Sequence, residues 1–114
     1  MEKFLKIEFL VSSNRIGFNE IPDFTLGLKI TNEGEDLLPV DISESALYVN
    51  SERCITWDLA VQNGTIVNLK IPPHQSEIVQ WLLGEALFVT SGTYELRLVW
   101  EIFSQKQKVV VLND

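Results

Sequence analysis

Across residues 93–100 apolar and polar positions alternate with one exception, Val99. Tyr94, Leu96, Leu98 and Trp100 fall on one face of an extended chain, and Thr93, Glu95 and Arg97 fall on the other. A period of two marks a strand buried on one side, and one-sided burial belongs to an antiparallel sheet. The pattern recurs earlier in the chain. Leu5, Ile7, Phe9 and Val11 share a face within Lys3 to Val11, and Phe24, Leu26, Leu28 and Ile30 share one within Asp23 to Thr31. Polar stretches bearing Gly, Asn or Pro separate such runs: Ser12 to Pro22, Asn32 to Asp36 and Pro72 to Ser76. These are turn and loop signals.

The middle of the chain is read in the same way. Leu38 to Ile42 is extended but carries Pro39, which assigns it to an edge. Ala46 to Asn50 is a short strand, followed by a turn at Asn50-Ser51-Glu52. Ile55, Trp57, Leu59 and Val61 alternate and predict a further strand over Cys54 to Val61. The Asn63-Gly64 pair suits a type I′ hairpin turn. Thr65 to Ile71 is then expected to return antiparallel, with Val67, Leu69 and Ile71 inward. Glu77 to Leu83 predicts a strand, continued by a loop or helical turn up to Ser91-Gly92; Gly84 argues against a long helix. After the Tyr94 strand a turn is expected near Ser104-Gln105-Lys106, then a last strand to Leu112. The expectation is an all-β antiparallel sandwich of about seven to nine strands, with residues 1–114 forming one domain.

Gly92-Thr93-Tyr94-Glu95-Leu96 resembles the strand-F signature of immunoglobulin-like domains, in which a glycine or alanine precedes a tyrosine by two positions and an inward residue follows by two. Leu96 stands where antibody domains have cysteine. Phe24 to Gly34 resembles strand B and its turn in bacterial sandwich modules, and Pro72-Pro73-His74-Gln75-Ser76 resembles their proline-led turn. The resemblance implies a disulfide-free immunoglobulin-like or fibronectin-III-like sandwich. It also implies that the Tyr94 hydroxyl bonds back to the backbone at the turn. The same order of motifs is similar to that of the bacterial intracellular proteinase inhibitors. No reactive-site motif of that family matches, so no inhibitory residue is assigned.

Composition narrows the chemistry. The single cysteine, Cys54, forms no internal disulfide, and the apolar residues near the N-terminus are interrupted by charges. No signal peptide or membrane helix is expected; a cytoplasmic location is the simplest expectation, and a secreted domain already trimmed of its signal is the alternative. A net charge of −7 with scattered basic residues argues against nucleic-acid binding. Lys106, Lys108 and Arg97 are the nearest thing to a basic cluster, and edge-strand lysines explain them as well. His74 is the sole histidine and sits in a turn. A nucleophile needs a base held beside it, and neither His74 nor Cys54 shows a partner in sequence. One His and one Cys do not make a transition-metal site. Asn32, Glu33, Glu35, Asp36 and Asp41 cluster without calcium-loop spacing. Sequence does not place Asp58 and Glu95 in one cleft, as glycoside hydrolysis would require. Asn63-Gly64-Thr65 fits the glycosylation pattern but is explained by the hairpin turn. No cofactor, metal or catalytic residue is assigned.

What remains is a non-catalytic protein-binding module, in which recognition rides on loops or edge strands. Trp57 and Trp100 lie on inward phases. Trp81, with Phe88 in the segment that follows, is the candidate exposed apolar contact; capping one end of the core is the competing reading. Arg15 in the Ser12 to Pro22 loop and Glu33, Glu35 and Asp36 in the Asn32 to Asp36 turn complete the candidate surface, together with the Gly84 to Gly92 loop. A proteinase inhibitor using Pro72-Pro73 or the Arg15 loop is the first alternative, and a small hydrolase using loop acids and His74 is the second. Dimerisation by edge-strand pairing is left open.

Overall fold

The computed structural model describes residues 5–62, 68–101 and 103–113. Ten strands appear among them: β1 (Leu5–Val11), β2 (Arg15–Gly17), β3 (Thr25–Asn32), β4 (Leu38–Asp41), β5 (Ala46–Val49), β6 (Glu52–Arg53), β7 (Asn68–Ile71), β8 (Ser76–Leu82), β9 (Gly92–Trp100) and β10 (Phe103–Leu112). Two short helices join them, α1 (Ile55–Ala60) and α2 (Gly84–Leu87). One sheet has the order β1-β3-β8, a second the order β2-β10-β9-β5-β6, and β4 and β7 form a separate pair. All pairings are antiparallel except β2 with β10, which is parallel.

The inward phases of the two larger sheets meet in one core. Ile7, Phe9, Leu26, Leu28 and Ile30 supply one side, and Leu47, Leu96, Leu98, Trp100, Val109 and Val111 the other. The expected alternation in β1, β3 and β9 is therefore what the fold buries. Polar side chains also link the sheets. Gln105 Oε1 accepts a hydrogen bond from the Phe9 N–H at 2.7 Å, and Gln107 Nε2 donates to the Phe9 carbonyl at 3.0 Å. The outer edge of β1 is thus capped by two side chains of β10.

Four expectations are corrected. Residues 55–60 form a helix rather than a strand: Trp57 and Val61, four apart, are fully buried, while Ile55 and Leu59 are exposed. Trp57 is held by its indole N–H, which donates to Ser45 Oγ at 3.0 Å, and Ser45 in turn donates to the Ile42 carbonyl at 2.6 Å. β7 accordingly pairs with β4 rather than with the preceding segment. The Asn63-Gly64 turn and Val67 lie outside the described residues. The Ser12 to Pro22 loop contains β2 and a 3-10 turn over Phe18–Asp23, because Ile16 and Ile21 are drawn into the core. The turn expected near Ser104 to Lys106 comes earlier in the chain, at Glu101, and Ser104 to Lys106 are already in β10, where Phe103 pairs directly with Trp100.

Candidate interaction surface

The face of the five-stranded sheet that points away from the core is built by register. Tyr48 of β5 stands opposite Arg53 of β6 on one side and Arg97 of β9 on the other, and Arg97 stands opposite Lys106 of β10. Residues directly opposite one another share a face, so Arg53, Tyr48, Arg97 and Lys106 form one row across four strands. With strands spaced by about 4.8 Å, the row is about 14 Å wide. Lys108 lies two positions further along β10, and Arg15 of β2 stands opposite Val110. Five of the chain's nine Lys and Arg thus occupy one face of a protein of net charge −7.

The row has internal structure. The Arg97 guanidinium sits 4.9 Å from the centre of the Tyr48 ring, within cation–π range. Arg53 clasps Asp58 of α1 with two nitrogens, Nε to Oδ2 at 3.0 Å and Nη2 to Oδ1 at 3.1 Å. The hydrogen bonds and the charge of Asp58 raise the Arg53 pKa further above its already high value. Lys106 Nζ lies 3.3 Å from Glu95 Oε1, both well exposed, a pair of small energetic weight. Among the described residues no carboxylate pairs with Arg15, Arg97 or Lys108.

The structure disperses the other residues singled out in the sequence. Trp81 is half-buried and packs edge-to-face on Trp57 at 4.9 Å. Phe88 does not offer an exposed contact: it is 2 % exposed and lies between Phe24 and Tyr94, 4.9 and 4.8 Å away. Three packed rings fill that end of the core, which is why an aromatic in a loop turned inward. Glu33, Glu35 and Asp36 are exposed in the turn after β3. Glu35 Oε1 lies 3.0 Å from His74 Nε2, and His74 sits in the proline-led turn with φ 60°. Cys54 precedes α1 and is half-buried, in a shallow groove with Arg53, Ile55 and Val89; His74 is not brought to it. Asp58 and Glu95 are each engaged by a basic partner. Among the described residues no group of three or more His, Cys, Asp and Glu gathers as metal ligands would. No helix among them is long and apolar enough to cross a membrane.

Sequence reasoning placed Lys106 and Lys108 beside Arg97 but missed Tyr48 and Arg53. Only the register of β5 and β6 aligns them, and two-residue β6 carries no periodic signal. The implied tyrosine corner is present: Tyr94 Oη donates to the Thr90 carbonyl at 2.7 Å and accepts from the Thr90 N–H at 3.3 Å. It fixes the start of β9, and with it the row.

No protein-family model matches the chain, and no curated protein matches it by sequence. Solved structures do match in fold. The CARDB domain of a Pyrococcus furiosus protein, described in complex with di-metal ions, aligns with TM-score 0.55 and 13 % identity over 96 % of this chain and 94 % of that one. A β-glucosidase from Erythrobacter marinus aligns with TM-score 0.54 and 13 % identity over 95 % of this chain, which spans only 15 % of that enzyme. A mutant β-glucosidase from Listeria innocua, in complex with laminaribiose, gives TM-score 0.54 and 11 % identity over 96 % of this chain and 16 % of that one. At such identities the likeness is one of fold, and it marks an all-β sandwich.

Proposed function

We propose that this sandwich is a non-catalytic interaction module and that the outer face of its five-stranded sheet receives an acidic segment of a protein partner. The observation that carries the reading is an excess of basic charge: Arg15, Arg53, Arg97, Lys106 and Lys108 share one face with a single strand carboxylate, Glu95, in a strongly acidic chain. Complementary charge steers association and fixes register, and the Arg97–Tyr48 stack adds a preorganised planar donor beside an aromatic surface. The immunoglobulin-like character of the fold belongs to the same reading and rests on the Tyr94 corner. A non-catalytic role is supported by the matched CARDB domain, which is about as long as this chain. The β-glucosidases lend no activity, since this chain spans under a fifth of each.

The test is an array of acidic twelve-residue peptides probed with the wild-type chain and with an Arg97→Glu/Lys106→Glu variant. The expected result is retention of peptides rich in Asp and Glu, weakened at least tenfold by the double reversal and by raising salt from about 50 to 500 mM. Retention unchanged by the reversal, or no retention, contradicts the reading.

A further inference from the structure

Most sheet edges of this molecule are blunted. The outer edge of β1 is capped at Phe9 by Gln105 and Gln107. β2 has three residues and β6 two, too short to template a partner; β4 carries Pro39, and four-residue β7 carries Lys70. These are recognised ways of discouraging edge pairing. β8 has none of them. Its seven residues, Ser76-Glu77-Ile78-Val79-Gln80-Trp81-Leu82, contain neither proline nor lysine, and Glu77 is their one charge. It ends the order β1-β3-β8, and among the described residues nothing pairs with its far side. Ile78 and Leu82 are 55 % and 66 % exposed along it.

The hydrogen-bond parity of the sheet tells which groups that edge presents. The Phe9 N–H and carbonyl point away from β3, so Phe9 and Leu28 are a non-hydrogen-bonded pair and Leu28 turns its own groups toward β8. The Asn32 N–H, on the same parity, donates to the Gln75 carbonyl at 2.9 Å. Glu77, Val79 and Trp81 are therefore bonded to β3. Ile78, Gln80 and Leu82 direct their N–H and C=O groups to the open side.

We propose that β8 pairs antiparallel with β8 of a second copy about a two-fold axis at Gln80. In this register Gln80 faces the partner's Gln80, and Ile78 faces the partner's Leu82. All three open residues then meet open residues, giving about six inter-chain hydrogen bonds. A shift by one residue would turn the open groups of one copy against groups already bonded to β3. The two exposed apolar side chains cover each other, and the two Glu77 side chains are held about 20 Å apart along the strands. The product is a continuous six-stranded sheet with an isologous interface. It uses a surface other than the basic row, so its failure leaves that reading untouched.

The experiment is sedimentation velocity of the full chain from about 1 to 500 µM. The expected result is a concentration-dependent shift from the 13.0 kDa monomer to a species of twice that mass. A Gln80→Pro variant removes an N–H that serves only the open edge, so it is expected to keep its circular dichroism and remain monomeric. Should that variant fail to fold, Ile78→Lys/Leu82→Lys supplies the same test, since edge lysines repel across the axis. A wild type that stays monomeric at every concentration, or a dimer that survives in a folded Gln80→Pro or in the lysine variant, overturns the proposal.

Discussion

Tyr94 illustrates how one side chain couples sequence to the candidate surface. Its ring is buried against Phe88, and its hydroxyl both donates to and accepts from Thr90. Tyr94→Phe keeps the ring and removes the hydroxyl, leaving the Thr90 carbonyl without that donor. The expected cost is about 1–2 kcal/mol, a fall of roughly 5 °C in Tm for a chain this size. A thermal melt within 1 °C of wild type would show that the corner carries no stability. This residue was legible because Gly92-Thr93-Tyr94 is a local pattern. Asn32 was not. It is 1 % exposed, its amide donates to the carbonyls of Asp36 and Ile71 at 2.8 Å each, and its Oδ1 accepts from the Gly34 N–H at 2.9 Å. In sequence it is one polar residue of a polar turn. Its burial arises only when β7 and the proline-led turn close over the end of β3, where the His74 N–H bonds the Asn32 carbonyl at 2.8 Å.

At the level of elements, β1, β3 and β9 were legible because each has one buried face and an alternation broken only at Leu10 and Val99. Residues 55–61 alternate equally well, yet 55–60 form α1, since a run of seven positions also satisfies the helical spacing of Trp57 and Val61. β10 misled for the opposite reason. Gln105 and Gln107 occupy its inward phase as polar residues because they cap β1, so the strand's first half reads as a turn. Gly84, read as arguing against a long helix, begins the four-residue α2, and its position requires glycine because a Cβ there would lie 2.0 Å from the Ile21 carbonyl oxygen. The β5–β6 hairpin offers a prediction. Its two linking residues, Asn50 and Ser51, have φ of 49° and 72°. Asn tolerates this region, whereas Ser pays about 1–2 kcal/mol, partly offset in a Ser51→Gly variant by the added freedom of glycine when unfolded. The expected net gain is about 0.5–1 kcal/mol, seen as a Tm higher by roughly 3 °C. A lower Tm would mean that the Ser51 side chain makes a contribution its geometry does not suggest.

For the molecule as a whole, composition concealed the basic face on which the proposed function rests. A net charge of −7 describes an acidic protein, and scattered Lys and Arg along the chain give no cluster. The strand order β2-β10-β9-β5-β6 gathers residues as distant as Arg15 and Lys108 onto one side. Long-range register creates that face, and no local pattern encodes it. The most direct measurement is a titration of ¹⁵N-labelled protein with a Glu-rich peptide, followed by amide chemical shifts. The account predicts shifts concentrated at Tyr48, Arg53, Arg97, Lys106 and Lys108, reduced by added salt. Shifts confined to the Asn32 to Asp36 turn or to the edge of β8, or none at millimolar peptide, would contradict it.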